Sequence, residues 1–279
     1  MNQTTHCRIC GQPASAQPIG RVINDRFPLL QCTVCQTIQA PAETDADTPA
    51  GGALYDDLYG PAGDAAYDQH NDEVARLLQG EQPYRPYQAR LLARVASLCP
   101  GRRLLEIGGG VGIFGRIAVA QGWDYTNYDV SEVALQQARQ LGLRTQRIES
   151  THLDLPRASA ELIVLWEVIE HLSNVGEYLQ TIRQALAPGG LLLMSTPYYW
   201  RTAYQRSDAW GTGMAPPVHL NFFTEESLRK TLRLNGFEHN NVFVRRLYPP
   251  AGKSLRALTQ PLKYLLGLEA PPTLYSISH

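Results

Sequence analysis

The stretch Leu104-Leu105-Glu106-Ile107-Gly108-Gly109-Gly110-Val111-Gly112 decides the reading of this chain. An apolar run carrying one acid breaks into glycines and then into an apolar pattern over residues 113–120. That order reads as a buried strand, a tight turn and a helix. Glycines suit the turn because the backbone must bend sharply and let a ligand approach with no Cβ in the way. A second acid, Asp129, ends the next apolar run, where a strand-end carboxylate accepts hydrogen bonds from ribose hydroxyls. The combination points to a nucleoside-bearing cofactor. The bland alternatives are a plain strand-to-helix turn and, for Asp129, a helix-start residue beside a Ser131 cap.

The loop alone leaves the cofactor open. Gly110-Val111-Gly112-Ile113-Phe114-Gly115 also satisfies G-x-G-x-x-G, with Asp129 near the spacing of about 20 residues that dinucleotide sites use. A nicotinamide-dependent oxidoreductase is therefore one alternative. Against it, Glu106 makes the pattern E-x-G-x-G-x-G. A carboxylate at the strand tip repels a pyrophosphate but pairs with the cationic amino-acid end of S-adenosylmethionine. Downstream come E-L-I-V-L-W-E-V-I-E-H-L over residues 161–172, Pro188-Gly189-Gly190, His219-Leu220-Asn221-Phe222-Phe223-Thr224 and Asn235-Gly236-Phe237. This ordered set resembles class I S-adenosylmethionine-dependent methyltransferases, in the broad group that includes the ubiquinone-pathway O-methyltransferases, over roughly residues 85–248.

Strand and helix patterns alternate along that region, which implies an α/β fold with a doubly wound, Rossmann-like parallel sheet. Expected strands are 102–107, 124–129, 144–148, 162–166 and 191–195; expected helices are 113–120, 133–141, 175–186 and 228–235. Ala187-Pro188-Gly189-Gly190 reads as a helix-ending turn. The resemblance adds an antiparallel last strand at the sheet edge. Ligands in such sheets sit at the carboxyl ends of the strands. That rule gathers Glu106, Gly108, Gly110, Gly112, Asp129, Val130, Trp166 and Glu167 as cofactor residues. The family usually holds the adenine amino group with an acid after the third strand. Aligning on Leu155-Pro156 puts Thr151 there, a departure that leaves Glu149, Ser150 and Thr151 as the adenine candidates.

With 279 residues and 44% apolar content, one large domain with a small accessory unit is expected. No apolar run approaches the roughly 18–20 residues of a membrane span. Residues 1–6 carry neither a charged nor an apolar leader, so a cytoplasmic protein is expected. A net charge of −1 gives no general pull toward nucleic acid. The charge is uneven, with no Lys or Arg between Arg26 and Arg76 and a basic balance from Arg229 to Lys263. The basic end can face an anionic substrate; a solvated helix face is the simpler explanation.

Cys7-Arg8-Ile9-Cys10-Gly11 and Cys32-Thr33-Val34-Cys35 are two C-x-x-C knuckles. Cys7, Cys10, Cys32 and Cys35 together supply four thiolates, which suits a closed tetrahedral Zn²⁺ site. Gly11 follows the first pair, where a knuckle needs a residue tolerant of positive φ, and residues 19–30 read as two short strands. A unit of about 40 residues builds too little core alone, so a structural zinc would supply its folding free energy. Disulfides suit a cytosolic chain poorly. Only Arg8, Arg21 and Arg26 are basic within residues 1–40, so nucleic-acid docking is not expected of this module. Cys99 reads as a small buried apolar residue. A C-R-x-C-G unit ahead of such a domain also resembles the deoxysugar C-methyltransferases and related small-molecule or glycan methyltransferases of bacteria.

The organisation expected is a zinc-ribbon-like module over 1–40, a linker and lid-like helical segment over 41–83, the methyltransferase domain over 84–248 and a C-terminal extension of unassigned role over 249–279. The 41–83 segment carries Tyr55, Tyr59 and Tyr67 among acids. For a hydroxyl acceptor, methyl transfer needs a base, and histidine is the usual one near neutral pH. His219, in the loop after the fifth strand, and His171, at a helix start, are the candidates, with His152 weaker. Tyr198, Tyr199, Trp200 and Tyr204, with Trp210, suit a pocket that stacks on a ring or sugar face. The activity expected is methyl transfer to a small metabolite or a sugar or glycan precursor, on oxygen. Sugar C-methylation, RNA methylation and a non-catalytic cofactor-binding scaffold are the alternatives.

Overall fold

The computed structural model describes residues 7–12, 16–22, 27–40, 56, 65–83, 85–149, 152–199, 218–245 and 273–279. Its strands are β1 (Ala16–Val22), β2 (Phe27–Cys32), β3 (Ile38–Gln39), β4 (Arg103–Ile107), β5 (Asp124–Asp129), β6 (Arg144–Arg147), β7 (Ala160–Trp166), β8 (Leu186–Pro197), β9 (Asn221–Phe222), β10 (Asn240–Arg245) and β11 (Thr273–Ser278). Its helices are α1 (Ala65–Leu78), α2 (Pro86–Ala96), α3 (Ile113–Ala120), α4 (Glu132–Gln140), α5 (Val175–Ala185) and α6 (Glu225–Leu234). None of the helices among the described residues is long and apolar enough to cross a membrane.

The larger sheet has seven strands in the order β10-β11-β8-β7-β4-β5-β6. β4 pairs in parallel with β5 on one side and β7 on the other, and β5 pairs in parallel with β6. The chain thus reverses direction across the sheet at β4, the point where α/β sheets open a crevice. β7 is buried at every position before Trp166, as a strand covered on both faces must be. The helices explain themselves locally. α2 opens on Pro86 and buries Leu91, Leu92 and Val95 as one stripe. α4 is capped by Ser131, whose side chain accepts from the Ala134 N–H, with Glu132 in its first turn. α6 starts three residues earlier than its apolar pattern indicates, because Thr224 and Ser227 form a reciprocal capping box.

Three expectations change. The Pro-Gly-Gly segment does not separate helix from strand: β8 already begins at Leu186, and Gly189 takes φ 75° inside its run. A Cβ on Gly190 would stand 2.9 Å from the Ala187 carbonyl oxygen, so the chain folds tightly there and still keeps strand pairing. The sheet also reaches past residue 248. β11, in the segment taken as an extension, lies between β8 and β10 and pairs antiparallel with β10 from Thr273↔Arg245 to Ser278↔Asn240. Its serines hid it: Ser276 and Ser278 are fully buried, and their hydroxyls satisfy each other at 2.7 Å.

The third change concerns the cysteine module. The chain divides into two compact units, Asp47–Trp166 with Gln180–Leu193 and His279 in one, and Met1–Ala46, Glu167–Leu179 and Met194–Ser278 in the other. The module is part of the second unit and not a bead on a linker. Strand β3 pairs with β9 (Ile38↔Phe222, Gln39↔Asn221), completing a four-stranded sheet β1-β2-β3-β9. Thr37 and Thr231 share a buried hydroxyl–hydroxyl bond of 2.9 Å. Asn235, which ends α6, donates from Nδ2 to the Ile9 carbonyl at 3.2 Å. A two-residue strand has no period to read, which is why the sequence shows nothing of this docking.

Candidate functional site

The glycine loop is built from below. After β4 the Gly108 N–H donates to the Tyr128 carbonyl at 2.7 Å, and Gly112 enters α3 with φ 84°, a left-handed geometry open to glycine. Gly109 is needed for space: a Cβ there would stand 2.4 Å from Asn127 Oδ1 and 2.9 Å from Glu106 Oε2. Asn127 is buried in β5 and donates from Nδ2 to the Gly110 carbonyl at 2.8 Å. Glu106 is only 2% exposed, and its carboxylate accepts from the Tyr125 hydroxyl beneath the loop. Burial, in spite of that hydrogen bond, pushes its carboxyl up to about 8.

Asp129 ends β5 with both oxygens engaged by the backbone. Oδ2 accepts from the Gly110 N–H at 2.7 Å and Oδ1 from the Ser131 N–H at 2.8 Å. The Val130 N–H adds a third backbone bond, and the lone-pair site left over suits a ligand hydroxyl. Burial raises its carboxyl above the ordinary value. Asp56, from the segment taken as a linker, reaches the same helix start: Ser131 Oγ donates to its Oδ1 at 2.7 Å and the Val133 N–H donates at 3.2 Å. Asn127, Tyr125 and Asp56 are the residues that sequence reading missed. Nothing in the sequence marks Tyr125 and Asn127, since polar residues at alternating strand positions look solvent-facing, and Asp56 is one acid among many in its segment. Val130 is half-buried beside Asp129, and Trp166 at the end of β7 meets Phe114 of α3 edge-on at 5.3 Å. Glu149 is exposed and forms a bridge with His152; Ser150 and Thr151 lie outside the described residues.

In the second unit, V-I-E-H-L and H-L-N-F-F close on each other. The Glu170 carbonyl accepts from the N–H groups of Leu220 and Asn221 at 2.8 and 3.0 Å. Asn221 Nδ2 donates to the carbonyls of Ile169 and Leu172 at 3.0 and 2.6 Å. His171 Nδ1 sits 2.8 Å from the Val218 carbonyl, and the His171 and His219 rings meet edge-on with centroids 4.6 Å apart. Burial lowers both imidazoles below the ordinary histidine value, His219 strongly. Glu170 is raised well above the carboxylate range by burial, and its Oε2 accepts from Thr196 Oγ1 at 2.9 Å. Glu167 takes φ 52°, a strained conformation for a non-glycine residue, and Ser195 Oγ donates to its Oε1 at 2.5 Å.

The expected aromatic pocket divides. Tyr199 is 6% exposed and its ring packs edge-on against Phe222 with centroids 5.8 Å apart. Tyr198 is half-buried. Trp200, Tyr204 and Trp210 lie outside the described residues.

The sulfurs of Cys7, Cys10, Cys32 and Cys35 are buried and lie within 4.8 Å of one another. Cys7 and Cys35 Sγ are 3.9 Å apart, close to the about 3.8 Å edge of a tetrahedron with Zn–S near 2.3 Å. The two knuckles repeat one geometry: Gly11 N–H donates to Cys7 O and Gln36 N–H to Cys32 O, with φ 66° at Gly11 and 63° at Gln36. Val34 N–H reaches Cys32 Sγ at 3.4 Å and Gln39 Nε2 reaches Cys7 Sγ at 3.7 Å, the contacts that settle a thiolate. A hydrogen bond from Cys35 pulls the Cys7 thiol down to about 4. The donor set fits a tetrahedral thiophilic ion.

The comparisons agree with the fold. The model of a methyltransferase domain matches residues 78–241, more than half of the chain. The chain therefore belongs to the methyltransferase-domain family, within the class I S-adenosylmethionine-dependent methyltransferases. A probable S-adenosylmethionine-dependent methyltransferase of Mycolicibacterium smegmatis is 35% identical over 52% of this chain and 55% of its own length. A ubiquinone biosynthesis O-methyltransferase of a Caulobacter species is 33% identical over 34% of this chain and 41% of its own. The chain thus spans about half the length of the curated relatives it matches. The fold is shared with the 1,6-didemethyltoxoflavin-N1-methyltransferase of Burkholderia thailandensis, solved with S-adenosylhomocysteine, at TM-score 0.53 and 18% identity over 94% of this chain and 98% of that one.

Proposed function

We propose that this protein transfers the methyl group of S-adenosylmethionine to a hydroxyl oxygen of a small metabolite or a sugar or glycan precursor. The observation that carries the reading is the loop 108–112 locked to Asp129, with a buried acid beneath it. In this assignment Gly108, Gly110 and Gly112 give the cofactor close backbone approach, and Asp129 with Val130 holds the ribose. Glu106 is assigned to the ammonium, and Glu149, Ser150, Thr151, Trp166 and Glu167 remain the candidates for the rest of the cofactor. The bound cofactor supplies the electrophilic methyl; the protein orients the acceptor for in-line attack. The relatives named as O-methyltransferases favour oxygen.

The Glu170–His171–His219 cluster is assigned to the acceptor. Its imidazoles are pushed toward the neutral form, so each offers a lone pair at neutral pH. Zn²⁺ on the four cysteines is assigned a structural role, because the knuckles hold Gly176, Leu220 and Asn235 through backbone and side-chain bonds. The test is methyl transfer from labelled cofactor to a panel of hydroxylated metabolites and nucleotide sugars, alongside RNA. Transfer to a small hydroxyl compound supports the reading, and transfer to RNA alone overturns it. His219→Ala is expected to keep cofactor affinity and lose turnover by about 10²-fold or more.

A further inference from the structure

Among the described residues, two buried polar atoms of one side-chain cluster have nothing to bond. Glu170 Oε1 and His219 Nδ1 are both without a hydrogen-bond partner, and their residues are 1% and 6% exposed. A buried acceptor left unmade costs about 1–3 kcal/mol, so two together ask for an explanation. His171 completes the group. Its Nδ1 faces the Val218 carbonyl, which can only accept, so Nδ1 carries the proton. The Glu167 backbone is a second hydrogen-bond partner of the ring. Nε2 then faces Glu170 Oε1 across 3.8 Å, too long for a hydrogen bond.

We infer that Glu170, His171 and His219 form a second metal site, distinct from the four cysteines, that takes one borderline divalent cation such as Mn²⁺, Fe²⁺, Co²⁺ or Zn²⁺. One ligand atom from each residue lies within 4.8 Å of the other two. Movements of about 1 Å close them onto an ion held near 2.1 Å. Two imidazole nitrogens and one carboxylate suit these ions better than Mg²⁺ or Ca²⁺, which prefer all-oxygen shells. The outer contacts are those a metal centre uses. A backbone carbonyl fixes the His171 tautomer, and Thr196 Oγ1 holds the second Glu170 oxygen at 2.9 Å. Three protein ligands leave open positions, which an acceptor oxygen can fill. The inference goes beyond the methyl-transfer reading and changes one part of it: a ligating His219 acidifies the acceptor through the cation instead of taking its proton.

The test is an electron paramagnetic resonance titration of the full-length, zinc-loaded protein with Mn²⁺, which the thiol site does not favour. One saturable Mn²⁺ is expected. Electron spin-echo modulation should show histidine nitrogen on that ion in the unaltered protein. Glu170→Gln and His219→Ala should each weaken binding at least tenfold. No retained Mn²⁺, Mn²⁺ without nitrogen modulation, or equal binding by both variants would overturn the site. S-adenosylhomocysteine binding measured on the same samples separates the two readings. Its persistence without Mn²⁺ sinks the cation site alone, and its absence with Mn²⁺ bound sinks the cofactor reading alone.

Discussion

Replacing Gly109 by alanine tests how the loop is packed. The backbone there is not left-handed, so the penalty is steric. The new Cβ would stand 2.4 Å from Asn127 Oδ1, 2.9 Å from its Cγ and 2.9 Å from Glu106 Oε2. Asn127 is fully buried and held by its bond to Gly110, so it cannot swing into solvent. Overpacking of this kind costs about 1–3 kcal/mol. Breaking the Asn127 bond to relieve it adds about 0.5–1.5 kcal/mol, and the stiffer unfolded chain returns about 0.4–1 kcal/mol. The net expectation is a loss of about 2 kcal/mol. Urea denaturation should report it as a lower midpoint at unchanged slope, and thermal melting as a drop of roughly 4–8 °C. In an Asn127→Ala background the obstacle is gone, and most of the Gly109→Ala cost should vanish. An equal cost in both backgrounds, or none in either, would refute the packing argument.

Other outcomes follow from the same contacts. The Glu106 carboxyl, near 8 when folded and about 4.3 when unfolded, holds its proton more tightly in the folded protein. Its contribution is full below about pH 4, falls as pH rises and is gone above about 8; Glu106→Gln should flatten that part of the stability–pH curve, as urea titrations at several pH values would show. A ligand ammonium should draw that carboxyl down, so S-adenosylhomocysteine binding at pH 7 should release close to one proton, read from calorimetry in buffers of different ionisation enthalpy. Thr37→Val leaves Thr231 Oγ1 without its 2.9 Å partner and should cost about 1–2 kcal/mol, much of it recovered in the Thr37→Val, Thr231→Val double variant. Zinc chelation should raise hydrogen exchange at Leu220–Phe222 as well as at residues 32–40, because Ala40 N–H and Arg8 both bond the Leu220 carbonyl; protection unchanged at 220–222 would separate the module from this support.

What the sequence shows and what it hides divide along physical lines. β4, α3 and β5 were readable to within a residue because burial and glycine geometry are written into adjacent positions. Ser131 announced α4 for the same reason, since a cap acts within one turn. Contacts made across long separations were not readable. The β3–β9 pairing involves two residues on each side. β11 looked polar because Ser276 and Ser278 satisfy each other inside the sheet. Gln36 takes the same φ as Gly11 without being glycine, so the second knuckle had no marker beyond its cysteines. In the candidate site, Glu106 and Asp129 stood out by position, while Tyr125 and Asn127 beneath the loop gave no sign. His171 and His219 were legible as candidates, but their convergence with Glu170 depends on bonds from the Glu170 carbonyl to residues some fifty positions away.

The central claim is that the loop over residues 108–112 and Asp129 serve S-adenosylmethionine. Calorimetric titration of the zinc-loaded protein with S-adenosylhomocysteine, with NAD as the control, tests it most directly. The account predicts saturable binding of the first and none of the second. Binding of NAD alone would make Gly110-x-Gly112-x-x-Gly115 a dinucleotide loop and contradict it.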